Sequence, residues 1–270
     1  MFRPMLDRRR RRLCWQLALS LALTLGMAGC PGGASRTDRT PPPPPAAAAD
    51  AGTTPVEREP AATRDQEIEQ LADRLMARAA GHEPAVSKLL QELAGKVGGQ
   101  LAGFEHRLKK RDSLLRKIRT VLKGEPELAV SQVMINDSLR YTLQVEDKPP
   151  GRHAEAIRAT FKGLEAAGHK VIKVKNYWPR GDNYSGVNSV LETSDGLEWE
   201  LQFHTAESFR IQHRDHELYE EMRKDDTPIE TRRELYRKLA APWEKVPIPR
   251  DMLVEKGLHP SEEIIARPPP

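Results

Sequence analysis

The sequence predicts an α+β fold: a mixed β-sheet flanked by helices, preceded by an N-terminal helical extension. Three observations predict it. Between residues 63 and 122 the apolar residues recur three or four apart, the spacing of one helix face. Between 139 and 204 the pattern includes short alternating runs, clearest in Leu197-Glu198-Trp199-Glu200-Leu201-Gln202-Phe203-His204. From Ala206 to Leu239 helical spacing returns.

The N-terminus comes first in the chain and has a separate task. Arg3 and the run Arg8 to Arg12 are followed by Leu13 to Leu25, apolar apart from Gln16, Ser20 and Thr24, and then by Met27-Ala28-Gly29-Cys30. A basic block, an apolar block and small residues in that order make a secretory signal peptide. The apolar block is shorter than the ~20 residues that span a bilayer. A cysteine directly after Ala28-Gly29 marks the lipoprotein subclass. Residues 1–29 are thus expected to be removed and Cys30 to carry lipid, giving an exported, membrane-anchored lipoprotein of the cell envelope, in the periplasm or at the cell surface. Of the two cysteines, Cys14 leaves with the signal peptide and Cys30 is taken by lipid, which excludes a structural disulfide and a Cys/His zinc site. Residues 30–62 hold Pro41 to Pro45 and Ala46 to Ala49 and read as a disordered Pro/Ala-rich spacer. The formal net charge of +4 is supplied largely by the signal region, so bulk charge predicts no specific nucleic-acid partner. Oligomeric state is not legible.

Residues 63–102 form the helical extension. Thr63 and Gln66 match a capping box. Ile68, Leu71, Leu75 and Met76 follow on one face, and Gly81 is expected to end this helix. Pro84 suits the first turn of a second helix carrying Val86, Leu89, Leu90, Leu93 and Val97, broken by Gly98-Gly99.

Residues 103–245 form the main domain. Asp112 is placed to cap a helix through Leu114, Leu115, Ile118, Val121 and Leu122, stopped by Gly124 to Pro126. Leu139, Tyr141, Leu143 and Val145 alternate as in a strand, Ala154 to Ala167 is helical, and Val171 to Val174 is a short strand. Arg180 to Asn183 is a polar loop. Val187 to Leu191 and Leu197 to His204 make a hairpin around Ser194-Asp195-Gly196. Ala206 to Arg223 and Pro228 to Leu239 are helical. Pro242, Pro247 and Pro249 then end regular structure, leaving residues 246–270 as a mobile C-terminal tail.

The chemistry is concentrated in a few places. Leu197, Trp199, Leu201 and Phe203 share one strand face; Glu198, Glu200, Gln202 and His204 share the other. Cations gather at Arg107, Lys109, Lys110, Arg111, Arg116, Lys117 and Arg119, and aromatics at Tyr177, Trp178 and Tyr184. Taken singly, these are a half-solvated strand and a solvated helix face. Together they suit a nucleotide: cations hold phosphates, carboxylates hold magnesium, and an aromatic face stacks on a base.

Four segments between about residues 103 and 220 resemble, in order, the synthetase domain of the RelA/SpoT family of alarmone, (p)ppGpp, synthetases. The first is the string from His106 to Lys117, with Arg107, Lys109, Ser113 and Lys117 at the family's positions. The second is Ile135 to Leu143, with Asp137 at the family's metal-binding aspartate and Arg140 following at a shorter spacing than the family pattern. The third is Lys175 to Ser189: Lys175, Tyr177 and Tyr184 match, while Gly186 replaces a serine and Asn188 a histidine. The fourth is Glu200 to Thr205, with Glu200 and Gln202 matching and His204 in place of an arginine; His216 and Tyr219 follow.

The resemblance implies a RelA/SpoT synthetase-like, nucleotidyltransferase-like fold and a pyrophosphokinase that moves pyrophosphate from ATP to the 3′-hydroxyl of an acceptor nucleotide, giving (p)ppGpp or (p)ppApp. It implies Mg2+ held by the catalytic pair Asp137 and Glu200, and donor ATP held by Arg107, Lys109, Ser113 and Lys117. It further implies an acceptor nucleotide held by Lys175, Tyr184, Asn188, Gln202 and His204, with Tyr184 stacked on the base. The departures at Gly186, Asn188 and His204 leave open a catalytically inactive nucleotide-binding protein or a structural envelope lipoprotein, and export leaves open an effector acting in another cell.

Overall fold

The computed structural model describes residues 63–179, 184–222, 224, 226–254 and 257–265. The expected signal peptide, Cys30 and the Pro/Ala-rich spacer lie outside the described residues, as does the polar loop 180–183. The chain divides into two units, residues 1–66 and residues 67–270. In the first unit, the capping box is formed: the Thr63 backbone N–H donates to Gln66 Oε1 at 2.7 Å, and the Gln66 N–H to Thr63 Oγ1 at 3.3 Å.

The second unit is α+β, with helices around a six-stranded mixed sheet. In chain order the elements are α1 (Arg64–Lys96), β1 (Gln100–Ala102), α2 (Arg111–Gly124), β2 (Arg140–Gln144), α3 (Arg152–Ala166), β3 (Lys170–Asn176), β4 (Val187–Glu192), β5 (Glu198–His204), α4 (Ala206–Arg214), α5 (His216–Met222), α6 (Ile229–Trp243) and β6 (Glu262–Ile264). The strand order is β1-β2-β5-β4-β3-β6. β2 runs parallel to β5, and β6 parallel to β3; the other neighbours are antiparallel.

The alternation in β2 and β5 gives the sheet one apolar face. Tyr141, Leu143, Trp199, Leu201 and Phe203 share a buried core with Leu90 and Leu93 of α1 and with Ile157, Phe161 and Leu164 of α3. Edge-on ring contacts order that core: Tyr141 with Trp199 at 6.1 Å and Phe161 with Phe203 at 5.3 Å between centroids. A second core lies between α2 (Leu114, Leu115, Ile118, Leu122) and Ile68, Leu71 and Ala72 of α1. The opposite face of the sheet is mostly polar, with the buried Val190 among its residues.

Several expectations are corrected. Asp112 does not cap α2, which starts at Arg111 after Lys110, and Gln100–Ala102, expected within the helical extension, form β1. Gly81 does not end a helix; α1 runs unbroken for 33 residues through Gly81 and Pro84. A helical glycine costs about 1 kcal/mol and a helical proline about 3. Both costs are offset because residues before the break are fixed by α2 and residues after it by the sheet. The helix ends at Lys96, just before the expected break at Gly98-Gly99, and Gly98 takes φ +64° in the turn that follows. The single helix expected over 206–223 is divided at Asp215 into α4 and α5.

The C-terminal stretch, expected to be a mobile tail, contributes β6 and core residues. Met252 and Leu258 are buried, and Glu262 accepts hydrogen bonds from the Leu258 backbone and from the Asn176 amide, at 2.9 and 3.0 Å. Asn176 also donates to the Met252 carbonyl at 2.7 Å, tying this stretch to the sheet edge.

Candidate active site

Strand register builds the polar face. Arg140, Glu200, Val190 and Lys173 stand in one row across β2, β5, β4 and β3; Thr142, Gln202, Asn188 and Lys175 stand in the next. Directly paired residues on neighbouring strands project to the same side, so these side chains share one surface.

Asp137 joins this surface just before β2. The segment Arg107 to Lys109 is stitched to Ser138–Arg140 by two backbone hydrogen bonds, Lys109 N–H to Ser138 O at 3.0 Å and Arg140 N–H to Arg107 O at 2.8 Å. That brings Lys109 Nζ to 2.7 Å from Asp137 Oδ2. Lys117, two turns into α2, reaches Asp137 Oδ1, also at 2.7 Å. Burial alone would raise the Asp137 carboxyl, but Lys117 and Lys109 together hold it well below the usual carboxylate range. Lys109 is lowered by burial and by the neighbouring Lys117 and Arg140 charges, against the pull of Asp137.

Glu200 is shifted the other way. Burial raises its carboxyl, and so does repulsion from Asp137; Arg140, Lys117 and a hydrogen bond donated by the Gln202 amide oppose the shift. Two carboxyls in one site are thereby separated, one fixed as an anion and one poised to take a proton. Lys175 is lowered to about 8 by burial and by Lys173, with Glu263 and Glu200 opposing.

The donor set suits Mg2+ only as a companion of phosphates. This ion takes one or two carboxylates and completes its shell with substrate oxygens and water, and Asp137 and Glu200 supply two. Both Asp137 oxygens, however, are engaged by ammonium groups. Among the described residues no group of three His, Cys, Asp or Glu side chains is placed to hold a metal ion.

Of the residues expected at the donor site, Lys109 and Lys117 converge on Asp137, and Ser113 lies one turn before Lys117 on the same face of α2. Arg107 does not join them. Its backbone is helical (φ −64°, ψ −32°), which breaks the alternation that would put it beside Lys109. Its guanidinium instead pairs with Glu83 of α1 at 2.5 Å, donates to the Phe104 carbonyl and lies over the Phe104 ring. Glu83 Oε1 also accepts from Ser87 Oγ, which is hydrogen bonded to Tyr141 on the α1 side of the sheet. Arg140, left out of the expected site by its spacing, stands beside Glu200. The signal that could have found it is its i, i+2 relation to Thr142 in an alternating strand.

Of the residues expected at the acceptor, Lys175, Asn188 and Gln202 share one row, while Tyr184 and His204 form the wall beside it. The Tyr184 ring meets Tyr177 and His204 edge-on, at 5.3 and 5.4 Å, and Trp243 at a tilt, at 5.9 Å. Its hydroxyl donates to Asn188 Oδ1 and lies 3.0 Å from His204 Nε2. His204 is fully buried, with Nδ1 3.0 Å from Ser208 Oγ. Burial lowers it to about 3, so it is a neutral imidazole and not a substitute for a phosphate-binding arginine. The hydrogen bonds are consistent with one directed chain: Ser208 O–H to Nδ1, Nε2–H to the Tyr184 oxygen, and Tyr184 O–H to Asn188. A Cβ on Gly186 would lie 2.6 Å from His204 Cε1. The three departures from the family pattern, Gly186, Asn188 and His204, therefore form one contiguous cluster around Tyr184.

Introducing arginine alone at position 204 should destabilise the fold. His204→Arg puts a larger, permanently charged group where a neutral ring is fully buried, and a buried unpaired charge costs about 3–5 kcal/mol. The denaturant midpoint should fall accordingly. Because unfolded histidine titrates near 6.5 and folded His204 near 3, the unfolded chain binds the extra proton between those values. The His204 contribution to stability is present above about pH 6.5 and declines as pH falls through that window.

Neither a protein-family model nor a curated protein matches this sequence. Solved structures do show similarity. The type VI effector Tas1, in complex with its immunity protein, is 23% identical, with 64% of this chain and 94% of that chain covered and a TM-score of 0.43. A GTP pyrophosphokinase family protein from Streptococcus pneumoniae is 14% identical, with 66% and 89% covered and a TM-score of 0.42. The small alarmone synthetase 2 from Bacillus subtilis is 14% identical, with 62% and 89% covered and a TM-score of 0.43.

Proposed function

We propose that this chain is a nucleotide pyrophosphokinase, moving pyrophosphate from ATP to the 3′-hydroxyl of an acceptor nucleotide. The observation that carries the reading is the pair of opposed carboxyls: Asp137 held anionic between Lys109 and Lys117, and Glu200 raised beside it. Lys109, Lys117 and Arg140 crowd one another around this pair, a positive excess that a triphosphate relieves. Asp137 and Glu200 would hold Mg2+ together with the substrate phosphates, and the ion would neutralise charge on the transferring group, while Lys109 and Lys117 would face those phosphates. Glu200, nearer neutrality than an ordinary carboxyl, accepts the proton of the attacking hydroxyl. Positioning and charge neutralisation dominate such a displacement. Lys175 faces the acceptor phosphates, Asn188 and Gln202 line the acceptor row, and Tyr184 borders it.

The test is incubation of the purified chain with ATP, Mg2+ and a broad set of acceptor nucleotides. AMP and a pyrophosphorylated acceptor should appear in equal amounts; absence of product with every acceptor overturns the enzymatic reading. The acid limb of kcat/KM should lie above the ordinary glutamate range of about 4.3, because Glu200 is raised. A limb at or below that value removes Glu200 as the base.

A second reading, nucleotide binding without transfer, is favoured by Arg107, which pairs with Glu83 and not with the site. Calorimetric binding of ATP with no product in the transfer assay supports it. In either case we propose export, removal of residues 1–29 and anchoring through lipid on Cys30. A labelled fatty acid should enter the wild type and not Cys30→Ala; equal labelling removes the anchor from the account.

A further inference from the structure

β6 adds one carboxylate to the polar face that no sequence motif marked. In the parallel pairing of β6 with β3, Glu263 stands opposite Lys175. Its Oε2 lies 2.8 Å from Lys173 Nζ, and its side chain is about half exposed, at 54%. Lys173 and Lys175 are successive residues of β3 on the site side, in the rows of Glu200 and Gln202. Lys173 is two strands from Glu200, roughly 10 Å at ordinary strand spacing. This places it where the 5′-phosphates of an acceptor lie when its 3′-hydroxyl is at Glu200. The edge strand is fastened by other groups: Glu262 is buried and held by Asn176 and the Leu258 backbone. Glu263 is therefore not what keeps β6 in place. The electrostatic coupling runs both ways. Lys173 and Lys175 lower the Glu263 carboxyl, and Glu263 raises Lys175 against the lowering effects of burial and Lys173.

We propose that Glu263 is a charge selector at the acceptor end of the site, engaging Lys173 and opposing negative charge beside Lys175, so that the acceptor is a nucleotide with a short 5′-phosphate chain. The inference rests on the acceptor role given to Lys175 above. The repulsion grows with ligand charge, so a 5′-triphosphate suffers more than a 5′-monophosphate of the same nucleoside. Because Glu263 is half exposed, solvent limits the effect to that of a surface ion pair.

Calorimetric titration of the full chain with the 5′-mono- and 5′-triphosphates of one nucleoside, alongside Glu263→Gln, tests it. Glu263→Gln should tighten triphosphate binding about two- to fivefold, with a smaller gain for the monophosphate, and the difference should shrink as salt is raised. A merely structural role for Glu263 moves both ligands together, does not respond to salt, and lowers the unfolding midpoint; that outcome overturns the selector. So does an unchanged ratio of the two affinities. Failure of both nucleotides to bind the wild type overturns the selector and the acceptor site together. Selective binding without pyrophosphate transfer removes only the enzymatic reading.

Discussion

Asp137→Asn should lower folding stability by about 3–5 kcal/mol, the cost of removing one partner from a buried ion pair. The Asp137, Lys109 and Lys117 side chains are only 12%, 17% and 28% exposed. An asparagine of nearly equal shape leaves two ammonium groups facing each other with no anion between them. The pH dependence gives this prediction a second, independent readout. The folded carboxyl is depressed below its unfolded value of about 3.9. Its contribution is therefore fully present above that value and is lost as pH falls through the folded pKa. Wild type and variant should differ most near neutrality and converge in strong acid. Denaturant titrations across pH measure this; an Asp137→Asn protein as stable as wild type at pH 7 means the two lysines do not depend on Asp137.

Glu200→Gln should reduce kcat by about 10²–10⁴-fold, the range associated with a positioned general base, while binding nucleotide nearly as well as wild type. Glutamine keeps the shape of the side chain but cannot accept the hydroxyl proton. It also relieves repulsion with Asp137, one cause of the raised Glu200 carboxyl, so stability should be kept or improved. Stability and activity are thus expected to separate at Glu200 and to fall together at Asp137. Kinetics and unfolding measured on the same two preparations check this. A fall in kcat of less than threefold for Glu200→Gln removes that residue from the chemistry.

The sequence made the sheet centre legible because β5 alternates over seven residues and its two faces differ completely in polarity. The alternation alone put Glu200 and Gln202 on the same face, and the hairpin turn fixed the neighbour. The edges were not legible. β6 is three residues long, follows three prolines and is held by Asn176 and Glu262, whose partners lie far away in sequence. The unbroken α1 was hidden for a related reason: Gly81 and Pro84 are local stop signals, overridden by two separate cores at the two ends of the helix.

The candidate site divides in the same way. Lys109, Lys117 and Asp137 were found by motif and are joined by geometry. Arg107 was found by motif but diverges, because it closes the 3-10 turn Phe104–His106 and its side chain pairs with Glu83. His204 lies on the correct strand face, yet it is sealed by Gly186 and Tyr184 and made neutral by burial. Face and burial are separate properties, and only the first can be read from alternation.

The most direct test of the account follows two labels in parallel, ATP marked at the α-phosphate and ATP marked at the γ-phosphate, with the wild type and Glu200→Gln. The account predicts that wild type carries the γ label onto the acceptor as part of an intact pyrophosphoryl group while the α label remains on AMP, and that Glu200→Gln transfers neither in the same time. Release of the γ label as inorganic phosphate with ADP left behind, or equal transfer by the two proteins, contradicts it.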